Sequence, residues 1–269
     1  IVICADRNHM DYIKRFYPAV RKTAFLPTAG ECLKPYSELK PFAERSIEVL
    51  FIGAYKYTEE SPDEVSMQLN AGSIQSPSKT FENIVDDYLR SRHRVLSETE
   101  LKAFIQKYRH VDVNICSVFR LKILETLLKA GIRVTVYGSR WEFTNLCSYP
   151  NFIYKGDCSV EDGIRLMEDS RIVLNQLANF KAGASERIFE AMLQGAIALT
   201  DDSLYLKENF SDSVDIKFYS PEHLESLPDL VRSILTDPAS AEMIRQNAYK
   251  KACAEHTWLH RASMLLRDL

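Results

Sequence analysis

The run Asn179-Phe-Lys-Ala-Gly-Ala-Ser-Glu-Arg-Ile-Phe-Glu-Ala-Met-Leu-Gln-Gly195 carries the residue types needed to hold an anion. Four small residues, Ala182, Gly183, Ala184 and Ser185, precede a segment of helical character, so a phosphate can approach the backbone closely. A helix N-terminus offers unpaired N–H groups, and Lys181 and Arg187 supply two cations, which together suit a diphosphate. Glu186 and Glu190 stand four residues apart on one helical face, where like charges cost roughly 0.2–0.5 kcal/mol, so one of them is expected to have a partner. A carboxylate accepts two hydroxyl hydrogen bonds at once, and Glu190, one turn beyond the small residues, is placed to grip a ribose diol. A purely local account competes with this one: acids are favoured in any first helical turn, and Ser185 would be an ordinary N-cap.

Other reactive side chains invite plainer roles. His256 and His260 flank the junction of two C-terminal helices and are expected to be surface or packing residues. Asp201 and Asp202 follow a strand and suit a helix N-cap better than a metal site, so no metal is expected. The six cysteines lie far apart in sequence, without a CxxC pair or zinc-ligand spacing, which points to reduced thiols and a cytoplasmic setting; Cys4 and Cys116 read as small buried apolar residues. No GxGxxG or Walker motif occurs, which lowers oxidoreductase and NTPase assignments. A formal charge of −3 and a pI near 6.1 argue against nucleic-acid wrapping. No apolar run approaches the roughly 18 residues of a membrane span.

The elements that must position these residues alternate. Ile47–Ala54 is a near-continuous apolar strand of the kind found inside a parallel sheet. The next strand is 133–137, and the roughly 80 residues between them far exceed a usual βα connection, so a helical insert is expected over about 60–130. Within it, helices are predicted over Ser78–Arg92, Ser97–Arg109 and Ser117–Ala130, with Glu100 completing a capping box on Ser97 and Gly131 ending the third. In that third helix Val118, Leu121, Leu124 and Leu128 recur at helical spacing. Strands at 152–154, 172–174, 196–200 and 215–218 then alternate with helices at 160–169, 186–194, 203–209 and 221–235. That is the pattern of an α/β fold with a doubly wound, Rossmann-like parallel sheet. Two helices, Ala239–His256 and Trp258–Leu269, close the chain, the second with Trp258, Ala262, Leu265, Leu266 and Leu269 on one apolar face.

Ile1–Ala5 reads as a buried strand with no initiator Met before it, so residues 1–30 are expected to be the remnant of an upstream domain. A helix over Asp11–Tyr17 and an extended segment over Arg21–Pro27 would complete it. Residues 31–46 form a linker, and 47–269 the main domain.

The run Ser185–Asp201 resembles the signature helix and strand of the group 1 glycosyltransferases, most closely the spore-maturation-protein type. The likeness extends through Val134–Gly138, Asn151–Gly156, Arg171–Asn175 and Glu255–Arg261. It implies the C-terminal, donor-binding half of a GT-B fold, with a nucleoside-diphosphate sugar as donor, an unknown glycan, protein or small-molecule acceptor, and no separate cofactor. By the same resemblance Glu190 binds the nucleotide ribose, Arg187 contacts phosphate or holds the loop, Gly138 borders the donor cleft, and the backbone at Tyr154–Gly156 meets the base. The family often carries another acid seven residues before the glutamate; Gly183 stands there. A non-catalytic nucleotide-sugar or protein-binding module, or an enzyme that isomerises the sugar on its nucleotide, are the alternatives.

Overall fold

The computed structural model describes residues 1–57, 62–177 and 179–268. The first thirty residues form a small βαβ piece: β1 (Val2–Cys4), α1 (Arg7–Phe16) and β2 (Thr23–Phe25), with the two strands parallel. Residues 32–46 then run over the surface with two 3₁₀ turns, Tyr36–Glu38 and Phe42–Glu44. Arg45 pins this stretch down from inside. Its buried guanidinium donates to the carbonyls of Lys40, Met167, Ser170 and Gln194, and desolvation, helped by the nearby Arg245 charge, pushes its pKa down to about 9.

The second sheet contains β3 (Ile47–Ile52), β4 (Val134–Tyr137), β5 (Phe152–Tyr154), β6 (Ser170–Leu174), β7 (Ile197–Thr200) and β8 (Lys217–Phe218). All pairings are parallel, in the spatial order β5-β4-β3-β6-β7-β8. The order reverses between β3 and β6, and ligands of open parallel sheets collect at the C-terminal ends of the strands that flank such a reversal. Alternate residues feed two cores. Val49, Phe51, Val134, Val136, Ile172 and Leu174 face one way, while Leu50, Val173 and Ala198 face the other. Burying both faces requires strands apolar at successive positions, which is how Val49–Ile52 reads, with Glu48 near the strand's start.

The helices in chain order are α2 (Glu64–Gln75), α3 (Phe81–Ser91), α4 (Glu98–Lys107), α5 (Arg109–Lys129), α6 (Val160–Glu168), α7 (Glu186–Leu193), α8 (Leu204–Asn209), α9 (Leu227–Thr236), α10 (Pro238–Glu255) and α11 (Trp258–Asp268). The capping box at α4 forms as predicted, with Ser97 and Glu100 bonding each other's backbone amides. Gly131, at φ +80°, ends α5 in a left-handed turn that only glycine adopts without strain.

Several boundaries differ from expectation for identifiable reasons. α2 lacks a consistent apolar stripe, burying Ser66 and Ser73 beside Leu69, so periodicity does not reveal it; its signal is Asp63, which caps Ser66 N at 2.7 Å. The helix expected to begin at Ser117 begins at Arg109, and Ser117 is fully buried in mid-helix with its Oγ accepting from Lys56 N at 2.8 Å. The buried side of α5 is Phe119, Ile123, Leu124, Leu127 and Leu128, displaced from the stripe read at Val118 and Leu121. The helix expected from residue 221 starts at Leu227 after a 3₁₀ turn. On α11 the inward residue is Arg261, while Trp258 and Leu266 are 45% and 80% exposed. Arg261 takes that place because it collects the carbonyls of Pro27, Thr28 and Glu255, satisfying the turn into the linker. Leu269, at the end of the helix predicted there, lies outside the described residues.

α2 to α4 and the start of α5 gather a satellite core that includes Leu69, Phe81, Val85, Leu101, Ile105 and Val111, and Phe16 of α1 joins it. The insert thus bridges the small βαβ piece to the large sheet.

Candidate functional site

At the β3/β6 reversal the strand ends open into a cavity of about 250 Å³. Three cations line it: Lys56 just after β3, Arg120 on α5 and Arg187 in the first turn of α7, with Ser185, Cys116, Gln176 and Asn179 between them. Lys56 and Arg120 are absent from the residues singled out by sequence. Arg120 falls within the helix read over Ser117–Ala130, but its place beside the end of β3, where it donates to Ala54 O, is set by packing that no local pattern shows.

Among the described residues no acidic side chain lines this cavity. Arg187 Nε donates to Asn175 Oδ1 at 3.2 Å, a neutral partner, and Asn175 is itself fixed by donating to Thr200 Oγ1 at 3.0 Å. Burial and the neighbouring Arg120 charge, against a smaller opposing pull from Glu186, push Arg187 down to about 10. Arg120 spends Nη1 on Ala54 O at 2.6 Å, while its buried Nε has no hydrogen-bond partner among the described residues. Ser185 occupies the N-cap position of α7, yet its hydroxyl makes no capping bond. An uncapped helix N-terminus and three cations lining one cavity have the charge that suits a multiply charged oxyanion.

A second cavity of about 480 Å³ shares Gln176 and Asn179 with the first. It lies between the small βαβ piece, through Asn8, His9 and Tyr12, and the insert, through Lys79, Arg109 and Asp112, with Lys181 at the sheet side. Burial and the nearby Glu82 charge raise the Asp112 carboxyl to about 6.

The remaining residues picked out by sequence are dispersed. Lys181 lines the larger cavity and also a groove along Asp201–Lys207, away from Arg187. The space left by the missing side chain of Gly183 is filled by protein: a Cβ there would lie 2.2 Å from Ala5 O. Asp6, fully buried, accepts from Ala182 N at 2.7 Å, and Thr28 Oγ1 donates to Ala184 O. The small residues therefore admit the β1–α1 turn at the place where a phosphate was expected to approach. Glu190 lies outside the cationic cavity's lining; its Oε1 accepts from Glu31 N at 3.1 Å and its Oε2 is buried without a hydrogen-bond partner among the described residues. Burial is the main cause that raises this carboxyl to about 7. The partner expected for one of the two glutamates is thus the linker backbone. Gly138, at φ +129°, lets the β3 and β4 ends approach, since a Cβ would meet Gly53 O at 2.3 Å. It donates to Gly156 O at 2.8 Å, and Tyr154 Oη donates to Glu142 Oε2. None of Gly138, Tyr154 and Gly156 lines the cationic cavity.

His256 is a packing residue: buried, stacked on Phe189, and driven down to about 3 by desolvation and the Arg261 charge. The α8 cap is Ser203 rather than Asp201 or Asp202. Asp201 instead accepts from Leu177 N at 2.6 Å, holding the chain just after β6, and Asp202 pairs with Lys207. Among the described residues no group of three or more His, Cys, Asp or Glu side chains is placed to hold a metal ion, and no helix is long and apolar enough to cross a membrane. Two cysteines remote in sequence, Cys32 and Cys253, stand with their sulfurs 3.2 Å apart.

Residues 120–267 match the model of a family described as glycosyl transferase-like, more than half of the chain. No curated protein matches the chain by sequence. In fold it is similar to TarM from S. aureus at 9% identity and TM-score 0.56, over 99% of this chain and 42% of that one. It is similar also to a sucrose-phosphate synthase from Thermosynechococcus elongatus at 12% identity and TM-score 0.55, over 99% and 56%. A third is Anabaena HepE in complex with UDP and glucose, at 11% identity and TM-score 0.53, over 100% and 62%. The chain thus spans between 42% and 62% of the length of these proteins. These likenesses establish a GT-B-type α/β architecture.

Proposed function

We propose, from the premise that the chain belongs to the glycosyl transferase-like family, that it binds the donor in sugar transfer from a nucleoside-diphosphate sugar to an acceptor hydroxyl. The observation that carries this reading is the cavity at the β3/β6 reversal, lined by Lys56, Arg120 and Arg187 with no acidic group among the described lining residues. As the glycosidic bond breaks, negative charge builds on the departing diphosphate. Cations already in place stabilise that charge without reorganising. That HepE is held with UDP and glucose, on the same architecture, supports a nucleotide-sugar donor. Within the family, the run Ser185–Asp201 leads us to place the chain with the spore-maturation-protein type.

The adjoining larger cavity is where we place the sugar and the incoming acceptor, and Asp112 is the carboxylate at hand to take the acceptor's proton. A group raised to about 6 is ionised at neutral pH and still basic enough for that task. We assign the ribose contact to Glu190, whose Oε2 needs a donor. The family match favours transfer over a non-catalytic module or a sugar-isomerising enzyme.

Titrating the purified chain with UDP, GDP, ADP and their glucose conjugates, with inorganic pyrophosphate alongside, tests the donor assignment, because a ligand selective for the folded state raises the melting temperature by mass action. Saturable binding of one nucleotide, competed by pyrophosphate and lost in Arg187→Met, is the expected result. No binding of any of them at millimolar concentration would overturn it.

A further inference from the structure

Cys32, at the start of the linker, and Cys253, in the last turns of α10, are 221 positions apart in sequence with Sγ atoms at 3.2 Å. Tyr249 closes the group, its hydroxyl 3.3 Å from Cys32 Sγ and donating to Lys34 O at 2.7 Å. Cys32 is exposed and Cys253 half-buried, so an oxidant can reach one thiol while the other waits beside it. Their position matters for the site. The residue before Cys32 is Glu31, whose N–H donates to Glu190 on α7 and whose carbonyl accepts from Gln194 at that helix's C-cap. The same turn threads between α7 and the α10–α11 junction, with Gly30 N donating to His256 O and Trp258 N to Gly30 O.

We propose that Cys32 and Cys253 are a thiol-oxidation site that closes into an intramolecular disulfide, strapping the linker onto α10 and holding Glu31 against Glu190. The oxidant is a low-molecular-weight disulfide of the glutathione type. Cys32 loses its proton and its sulfur attacks one sulfur of that disulfide, expelling the first small thiolate and leaving a mixed disulfide. Cys253 then loses its proton and attacks Cys32 Sγ, expelling the second. The two cysteine protons end on the two released thiols, the cysteine pair is oxidised by two electrons and the small disulfide is reduced. Burial and the neighbouring Cys32, against the opposing Tyr249 hydroxyl, raise the Cys253 thiol to about 11, which suits it to the second, intramolecular step, where proximity offsets its low ionisation.

The test is to equilibrate the full chain with oxidised and reduced glutathione, block remaining thiols, and map the peptides by mass spectrometry. The expected product is a Cys32–Cys253 cross-linked peptide lighter by two hydrogens, reversed by reductant and absent from Cys32→Ser and Cys253→Ser. Stable glutathione on Cys32 with a blocked, reduced Cys253, or cross-links dominated by exposed Cys147, would overturn the site. Strapping is read separately: oxidation should raise the melting temperature of the unmutated chain and leave both serine variants unmoved. A cross-link that forms without raising it would overturn the strap. Neither readout depends on a nucleotide, so failure here is distinguishable from failure of the donor assignment.

Discussion

Arg187 and Glu190 sit one turn apart on α7, and both are pushed toward neutrality, yet their surroundings answer that pressure differently. Arg187 opens on a cavity and is held by a neutral amide among other cations. Glu190 is closed over by the linker, which supplies one N–H and leaves the second oxygen unmet. A charge left without a counter-ion beside a cavity marks a ligand's place, whereas one covered by backbone also couples the chain's own segments. One short helix thus lines the cationic cavity at its first turn and meets the backbone of Glu31 at its second.

Arg187→Met is the sharpest way to break this comparison. It should weaken pyrophosphate or nucleoside-diphosphate binding by about 2–4 kcal/mol by calorimetry, since charge-assisted contacts in a desolvated site are lost. The melting temperature of the ligand-free protein should hold or rise, because a desolvated cation is removed. Tight binding retained by a folded variant would defeat the assignment.

Glu190→Gln keeps an acceptor for Glu31 N and removes the charge. Nucleotide affinity should fall by about 1–3 kcal/mol while pyrophosphate affinity stays, separating ribose from phosphate recognition. Equal loss for both ligands would place Glu190 at the phosphates instead.

The same variant has a pH signature. The folded carboxyl is raised to about 7 from an ordinary 4.5, so between those values the folded state binds a proton that the unfolded chain has released. Stability from this group is therefore full below about 4.5 and declines as pH rises toward about 7, by on the order of 2 kcal/mol. Melting curves from pH 5 to 8 should show the difference between Gln and Glu growing in favour of Gln. A pH-independent difference would mean that Glu190 is already ionised in the folded protein at pH 5.

Ser185→Ala should be the mildest change. A working N-cap costs about 1 kcal/mol to lose, but this hydroxyl makes no capping bond, so ligand-free stability should move by less than about 0.5 kcal/mol. A drop of a full cap's size would return Ser185 to the ordinary role.

Much of the frame was legible. Apolar continuity marks the strand ending at Ile52, the capping box marks α4, and Gly131 marks the end of α5, because each is written in neighbouring residues. α2 was not, because Gly72 and buried serines give it no stripe. Of the site, Arg187 and Ser185 were legible as a helix N-terminus with a cation, while Lys56 and Arg120 come from two other elements and share no local pattern with them. Gly183 was legible as a close approach, though not as an approach by Ala5.

By itself, then, the sequence determined the alternation of strands and helices, the small-residue character of the segment before α7, and the lack of zinc-ligand spacing among the cysteines. Those are properties of residue type and short spacing. Only the tertiary structure decided that three cations line one cavity with no carboxylate among the described lining residues, that Asp6 and the linker occupy the loop and the far side of α7, and that Cys32 meets Cys253. The physical reason is that charge neutralisation, desolvation and thiol proximity depend on distances between residues tens to hundreds of positions apart, which only the packed sheet and its helices fix.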